Sequence, residues 1–172
     1  MVLSQVLLTE VTHELKNSKK IIAAFTNEQL DFKPHEKSMS AKELIAHIVG
    51  LHNWVPIILT KDELNFKTDY IPTIINNIEE AIDTLESGLS LSQDTIKATT
   101  DEIWASSWAL KSGDHVLASG SKYAMLRNLV LNHIIHHRGQ LTVYLRLLNN
   151  ALPGIYGPSA DDMIAMKKAQ QQ

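Results

Sequence analysis

The spacing of apolar residues constrains this chain more than any other feature, because it follows the helical period in four long segments. In the first segment, residues 3–25, one apolar stripe is formed by Val11, Leu15, Ile22 and Phe25. Sustained strand alternation is absent apart from one short stretch. The pattern predicts an all-α protein, an antiparallel helical bundle that forms a single domain over residues 1–172. In the last segment, residues 122–149, the predicted buried side consists of Tyr123, Leu126, Val130, Ile134, Leu141, Tyr144, Leu145 and Leu148.

The second helix has a well-defined predicted start. Ser40 is followed three residues later by Glu43, and this pair forms a capping box in which each side chain bonds a backbone N–H of the first turn. The apolar period then continues to about residue 59. Pro56 lies inside that run, so we expect a kink or an irregular last turn there.

A third helix is predicted to start at Pro72, since the missing N–H of proline would be unbonded in the first helical turn in any case. Ser87-Gly88 and the polar residues 90–94 weaken the helical pattern, so this helix is expected to end before a short helical turn around Ile96. Its expected buried side is formed by Ile74, Ile75, Ile78, Ile82 and Leu85.

Smaller elements are predicted outside the long helices. Residues 102–119 contain two partly apolar arms on either side of a Ser-Gly-Asp turn, which favours an extended loop or a small hairpin. Asn149 is a predicted stop for the last long helix. Beyond it, Ser159 with Asp162 is expected to cap a short carboxyl-terminal helix.

Composition and charge exclude several kinds of function. The chain has no cysteine, so any metal must be bound by nitrogen or oxygen, and disulfides and cysteine nucleophiles are excluded. A net charge of -3 argues against binding to nucleic acid, which needs clustered Lys and Arg. The amino end lacks the features of a secretory signal, and no segment is expected to reach membrane-spanning length. We therefore expect a cytoplasmic protein that binds neither nucleic acid nor membrane.

Histidines lie on the predicted buried faces of two helices. His133 and His137 are four residues apart, which places both side chains on one face of the last helix. His47 stands on the second helix where a bundle needs an apolar residue. Buried imidazoles need partners, which would be one divalent cation between the three rings or a neighbouring hydroxyl or carbonyl for each. The two seams are Leu44, His47, Leu51, Trp54 and Ile58, and Leu126, Val130, His133, His137, Leu141 and Tyr144.

Spacing alone leaves the choice of histidines open. His52 also lies on an apolar stripe and competes with His47, and His136 is similarly ambiguous beside His133. The metalloprotease signature is excluded, because Ile134 stands where a general-base glutamate should follow the first histidine. No serine stands on a Gly-flanked elbow of the hydrolase kind. The histidines expected at the surface are His13, His35 and His115.

The run NHIIHHRGQL at residues 132–141 resembles the signature of the DinB family. In that signature a histidine, three residues, a second histidine and then Arg-Gly-Gln stand on the last bundle helix. Residues 43–48 and 153–161 are similar to further landmarks of the family and follow in the same order. The resemblance therefore covers most of the chain.

This resemblance implies a four-helix bundle with a long crossover and, frequently, a homodimer. It also implies one divalent ion, zinc or nickel, held by His47, His133 and His137. The family's first ligand lies in the segment matched here by residues 46–48, so the resemblance favours His47 over His52.

The resemblance does not settle the reaction. The DinB and YfiT-like superfamily includes enzymes that transfer low-molecular-weight thiols, thiol-dependent isomerases and members without an assigned activity. Three neutral ligands would leave a coordination position open, as in catalytic sites. Our first hypothesis is a thiol transferase in which a bacillithiol-like cosubstrate, bound as thiolate, attacks an electrophile. The second is a metal-dependent hydrolase, and the third is a non-catalytic stress-response module for metal binding or dimerisation.

Three further residues are candidates for supporting roles. Trp54 would wall the pocket, although packing is the simpler explanation for a tryptophan there. Gln140 and Arg138 would position the substrate or the ligands, and Arg138 equally suits a salt bridge between helices or within a dimer. Catalytic residues stay unassigned.

Overall fold

The computed structural model describes residues 3–171, so residues 1, 2 and 172 of the predicted domain lie outside the described part. The described chain is mostly helical and carries one small three-stranded sheet. A 3-10 turn covers Asn27–Gln29, and a π-helical turn at Leu126–Leu131 joins α6 to α7. The helices are α1 Leu3–Ile22, α2 Ala41–His52, α3 Trp54–Thr60, α4 Ile78–Ala98, α5 Asp101–Ala105, α6 Lys122–Met125, α7 Asn132–Leu147 and α8 Ala160–Ala169, and the strands are β1 Glu63–Asn65, β2 Ser107–Ser112 and β3 His115–Ser121.

The core lies between the longer helices, with α4 and α7 each packed against both α1 and α2. The predicted stripe of the first helix is confirmed, because all four of its residues are buried, although the helix ends at Ile22 and Phe25 lies just beyond it. Burying one side chain of this kind contributes about 1.5–3 kcal/mol. The mostly helical architecture is confirmed, while a four-helix bundle with a long crossover stays a prediction.

The capping box at the start of α2 is confirmed. Ser40 Oγ accepts the Glu43 N–H at 3.1 Å, and the Glu43 carboxylate accepts the Ser40 N–H at 2.7 Å. The expected irregularity is three residues earlier than Pro56, because α2 ends at His52 and Asn53 separates it from α3. Pro56 then falls in the first turn of α3, where its missing N–H has no helical partner to lose.

Helix α4 differs from the prediction at its start. It begins at Ile78 rather than Pro72, because Asn77 is the N-cap and its Oδ1 accepts the Glu80 N–H at 2.7 Å. Ile74, which was predicted to be buried, precedes the helix and is 75% exposed. Residues between Pro72 and Asn77 form an irregular segment instead of a first helical turn.

The predicted end of α4 is also wrong, because the helix continues without interruption to Ala98. Gly88 was interpreted as a sign of weak helix, but the structure gives it a packing role. A Cβ at Gly88 would lie 2.4 Å from Oδ1 of Asn53, at the break between α2 and α3. Glycine therefore allows close approach of two elements at this point and does not terminate the helix.

The predicted hairpin is confirmed as β2 and β3, which pair antiparallel. Gly113 takes a left-handed φ of 61° in the turn, a conformation that glycine adopts without strain. No pattern in the sequence predicted β1, which pairs parallel to β2. Its Asn65 accepts the Gly113 N–H at 2.9 Å and donates to the Gly113 carbonyl at 3.2 Å, so it braces the turn.

The expected last long helix consists of α6, the π-helical turn and α7. Its predicted buried side is confirmed in the main, but Tyr123 is 40% exposed because it lies at the outer start of this run. Asn149 has a left-handed φ of 60°, which agrees with the predicted stop. Ser159 and Asp162 form the expected cap of α8.

Residues Ala41–Thr60 correct the expectation that no segment reaches membrane-spanning length. They have a mean hydropathy of 1.3 over the relevant window and are long enough to cross a membrane. However, 56% of that window is buried inside the protein, and the segment is divided at Asn53. These are the properties of core helices, so the segment is weak evidence for a membrane span.

Candidate metal centre

Two packed helices supply the three histidines. His47 lies in the middle of α2, whereas His133 and His137 lie one turn apart in the first half of α7. Direct packing of α2 against α7 brings the two helix faces together. The π-helical turn Leu126–Leu131 ends immediately before α7, and such turns are frequent at functional sites.

The three imidazoles form a compact cluster. One ligating nitrogen from each of His47, His133 and His137 lies within 4.8 Å of the others, and all three residues are partly buried. His47 Nε2 and His133 Nε2 are 3.4 Å apart. The ring centroids are separated by 5.0 Å for the pair His47 and His133, 4.7 Å for His47 and His137, and 4.5 Å for the two α7 histidines.

Electrostatics keep these rings neutral. Burial, followed by the proximity of His137 and His133, lowers the pKa of His47 to about 4. The pKa of His133 and that of His137 are also lowered, in both cases mainly by burial. In His133, a hydrogen bond with the Leu129 backbone acts in the opposite direction. At neutral pH the cluster therefore offers nitrogen lone pairs rather than positive charges.

Gln140 fixes the orientation of one ring. The Nδ1–H of His137 donates to Gln140 Oε1 at 2.7 Å, which leaves Nε2 as the unprotonated nitrogen of the neutral ring. This contact agrees with the supporting role that the sequence suggested for Gln140. Three neutral imidazoles with one such restraint form a donor set that could hold a divalent metal ion.

The model of the DinB family matches residues 2–171. The chain belongs to the DinB family. Among solved structures, it is similar to a DinB-like protein from Bacillus subtilis, with 20% identity, a TM-score of 0.67, and coverage of 88% of this chain and 98% of the other. A DinB-like protein from Bacillus cereus has 21% identity and a TM-score of 0.63, with coverage of 84% and 92%. No curated protein matches the sequence.

In this DinB-family chain, the structure shows which of the histidines left open by helical spacing belong to the cluster. His52 is 3% exposed and lies apart from the cluster, where its Nε2 is hydrogen bonded to the Ser18 hydroxyl at 3.0 Å. His136 is exposed, although its ring is 5.0 Å from that of His137. The predicted convergence of His47 with the α7 pair is thus confirmed, while their role as ligands stays a prediction. His13, His35 and His115 are exposed, as expected.

Arg138 faces away from the histidine cluster. It is 2% exposed and pairs with the carboxylate of Glu14 on α1, so it makes the salt bridge between helices that was one of its two expected roles. The Tyr156 hydroxyl contacts Arg138 and donates to Glu14 Oε2 at 2.7 Å. Ser18 accepts from Arg138 at 3.4 Å, which connects this network to His52.

Trp54 does not line the space beside His47. It packs against Phe66 and Tyr70, with ring centroids 5.9 and 6.3 Å away, which agrees with a packing role. The space beside His47 is a cleft of about 290 Å³ between α2 and the irregular residues 70–75, and we call it the α2 cleft. The wall formed by residues 70–75 was not predicted from the sequence, because Pro72 favoured a helix there.

Proposed function

We propose that this protein is a metal-dependent thiol S-transferase that uses a low-molecular-weight thiol. The observation that carries the proposal is the cluster of three neutral imidazoles, His47, His133 and His137, which adjoins an open cleft and includes no carboxylate among the described residues. A site with three neutral ligands keeps the full charge of a divalent ion and leaves a position for an exogenous ligand.

A zinc or nickel ion suits these residues, since both accept imidazole nitrogen. When bound, such an ion would supply a thiolate at neutral pH by stabilising the deprotonated form of the cosubstrate. In the overall reaction, a sulfur–carbon bond forms, the leaving group departs with its electron pair, and the thiol proton passes to solvent. The reaction needs no protein base, which agrees with a cluster made of histidines alone.

The chain's own residues would position the reactants. Gln140 orients His137 by accepting its Nδ1–H. The lowered pKa values keep a nitrogen lone pair of each of the three rings available to a metal ion. The α2 cleft reaches His47 from the solvent side and is large enough for a small electrophile.

A metal-dependent hydrolase is the second candidate, and Glu43 is the observation that favours it. Glu43 lines the α2 cleft together with His47, which places an acidic residue near the cluster. The substitution Glu43→Gln separates the two functions, because glutamine can keep the capping box but cannot accept a proton from water. A hydrolase should lose most of its rate, whereas a thiol transferase should keep it.

The remaining expectations complete the proposal. We propose a cytoplasmic protein with a four-helix bundle and a long crossover that forms a homodimer and binds no nucleic acid or membrane. Exposed apolar side chains on α7 and α8, among them Val143, Leu147 and Ile164, are the surface on which a dimer should be sought. If the metal binds but no substrate is turned over, the non-catalytic metal-binding module replaces the enzyme.

The test compares metal content and turnover in matched variants. We expect the purified protein to bind one zinc or nickel ion per chain, and His47→Ala, His133→Ala and His137→Ala each to lose it. His136→Ala is the control, because this histidine lies on the same helix but is exposed and outside the cluster. Turnover is measured with bacillithiol, glutathione and cysteine against monobromobimane. Unchanged metal content in all three cluster variants would contradict the proposal.

A further inference from the structure

The α2 cleft has one wall from α2 and one from an irregular segment. Met39, Lys42 and His47 contribute from the α2 side, and Tyr70, Thr73 and Ile74 from the other. Its volume of about 290 Å³ is at the lower end of the range for small-molecule sites. Because His47 belongs to this wall, a molecule in the cleft would lie beside the histidine cluster.

The walls of the cleft expose more apolar surface than an isolated side chain would. Ile74 is 75% exposed and Met39 is 44% exposed, although both are large apolar residues. Tyr70 is held in place by edge contacts with Trp54 and Phe66, at centroid distances of 6.3 and 5.1 Å. Clustered apolar exposure at a cleft is typical of a site that buries an apolar ligand.

Gly50 sets the position of the second wall. A Cβ at Gly50 would lie 2.9 Å from Thr73 Oγ1, closer than side chains normally approach. The missing side chain therefore lets residues 70–75 lie directly on α2. The Thr73 side chain thus occupies the space that a side chain at position 50 would take.

One positively charged residue of the cleft, Lys42, forms no salt bridge within residues 3–171. The structure places no carboxylate within 4.0 Å of the Lys42 ammonium among the described residues. Glu43, the acidic residue of the cleft, is held by other groups: Lys33 lies 3.6 Å from its carboxylate, which also accepts the Ser40 N–H. The α2 cleft is therefore lined by apolar side chains, by one lysine without a salt bridge to the described residues, and by one histidine of the neutral cluster.

We propose that the α2 cleft binds the second substrate, and that this substrate is an apolar molecule with one anionic group that pairs with Lys42. Calling the bound molecule a substrate rests on the proposed function. The binding itself depends only on the cleft, since Lys42 and Ile74 are outside the metal cluster.

The experiment uses a probe pair with one carbon skeleton, in which an anionic carboxylate is replaced by a neutral hydroxymethyl group. Dissociation constants for 4-phenylbutyrate and 4-phenylbutanol are measured calorimetrically on the zinc-loaded full chain. Lys42→Met should weaken the acid by about fivefold, the effect of one partly exposed ion pair, and leave the alcohol unchanged. Ile74→Asp should weaken both probes, because it places a charge in the apolar wall.

Matched controls test whether the site or the surface is responsible. Lys16→Met removes an exposed charge on α1, and Ile71→Asp changes a residue that is 86% exposed on the same segment but does not line the α2 cleft. Both should leave the dissociation constants within about twofold. Equal effects of Lys42→Met and Lys16→Met, or no effect of Ile74→Asp, would overturn the inference.

Metal-free protein separates this inference from the proposed function. The acid should still bind His133→Ala, with the same sensitivity to Lys42→Met. If the acid binds only when zinc is present, it is a ligand of the metal and the cleft proposal is wrong. If the probe results hold while every thiol fails in turnover, the cleft stands as a binding site and the transferase function falls.

Discussion

Helix α7 presents two adjacent polar residues to very different surroundings. His137 belongs to a partly exposed cluster of neutral rings, without an opposite charge among them. Arg138, the next residue, is buried on another face, where it pairs with Glu14 and contacts Tyr156. The first environment leaves lone pairs available, while the second satisfies its charges within the protein.

The difference shows which polar groups serve the fold and which are available for function. Removing charged groups from water costs free energy. The Arg138 network offsets this cost because its members are paired and hydrogen bonded. The histidine cluster has one identified side-chain restraint, the Gln140 bond, and adjoins a cleft. We therefore call the Arg138 side the scaffold face of α7 and the His137 side its site face.

The largest expected effect comes from breaking the scaffold face. Glu14→Met leaves the Arg138 charge buried without its carboxylate, and the free energy of unfolding should fall by about 3–5 kcal/mol. Urea denaturation of metal-free protein measures this loss. The double substitution Glu14→Met with Arg138→Met should recover most of it, because no unpaired charge remains.

A partly exposed pair of the same kind serves as the control. Arg127 and Glu10 form a salt bridge with side chains that are 32% and 29% exposed. Glu10→Gln should reduce the free energy of unfolding by less than about 1 kcal/mol, because water screens this pair. Equal losses from Glu10→Gln and Glu14→Met would remove the distinction between scaffold and surface charges.

Local rules predicted those parts of the fold that depend on neighbours in sequence. The capping pair Ser40 and Glu43 acts within one helical turn, and the prediction is correct. Gly88 was misread because its reason lies in Asn53, a residue on another element. Pro72 was misread because Asn77 provides a better cap. Strand β1 was missed because its parallel pairing with β2 is a contact between distant segments.

The candidate site was predictable in part for a similar reason. Helical spacing places His133 and His137 on one face, and this follows from geometry within α7. Helical spacing places both His47 and His52 on apolar stripes of α2. Which neighbouring residues each histidine contacts is determined by the packing of other helices against α2. His47 meets α7, whereas His52 meets Ser18 on α1. Family resemblance supplied the choice that periodicity could not make.

A smaller effect should follow from loosening the site face. Gln140→Leu removes the acceptor for the Nδ1–H of His137, so the ring loses its fixed orientation. Zinc affinity, measured by competition with a chromophoric chelator, should fall about 10- to 100-fold. Thr142→Val is the control, since its side chain bonds the Gly139 carbonyl of the same helix. An unchanged affinity for Gln140→Leu would mean that packing alone orients His137.

The last expected effect is a change in pH dependence at His52, which lies on α2 and is connected to the scaffold face through Ser18. Burial, and then the positive charge of Arg138, lowers the pKa of His52 to about 3. Unfolded chains bind a proton near pH 6.5, so the folded state binds fewer protons between about pH 6.5 and pH 3. Stability is therefore lost as the pH falls through this window, by at most about 1.4 kcal/mol per pH unit from this group.

His52→Gln keeps a polar partner for Ser18 and removes the titration. The free energy of unfolding in the presence of EDTA should then decline less steeply from pH 6.5 to pH 4.5 than in the natural chain. His115→Gln, at an exposed position outside both faces, should leave the slope unchanged. Since the histidine cluster is intact in both variants, its own titration cancels in the comparison. Identical slopes for the natural chain and His52→Gln would show that His52 accepts a proton without cost, and the scaffold face would then tolerate a second buried charge beside Arg138.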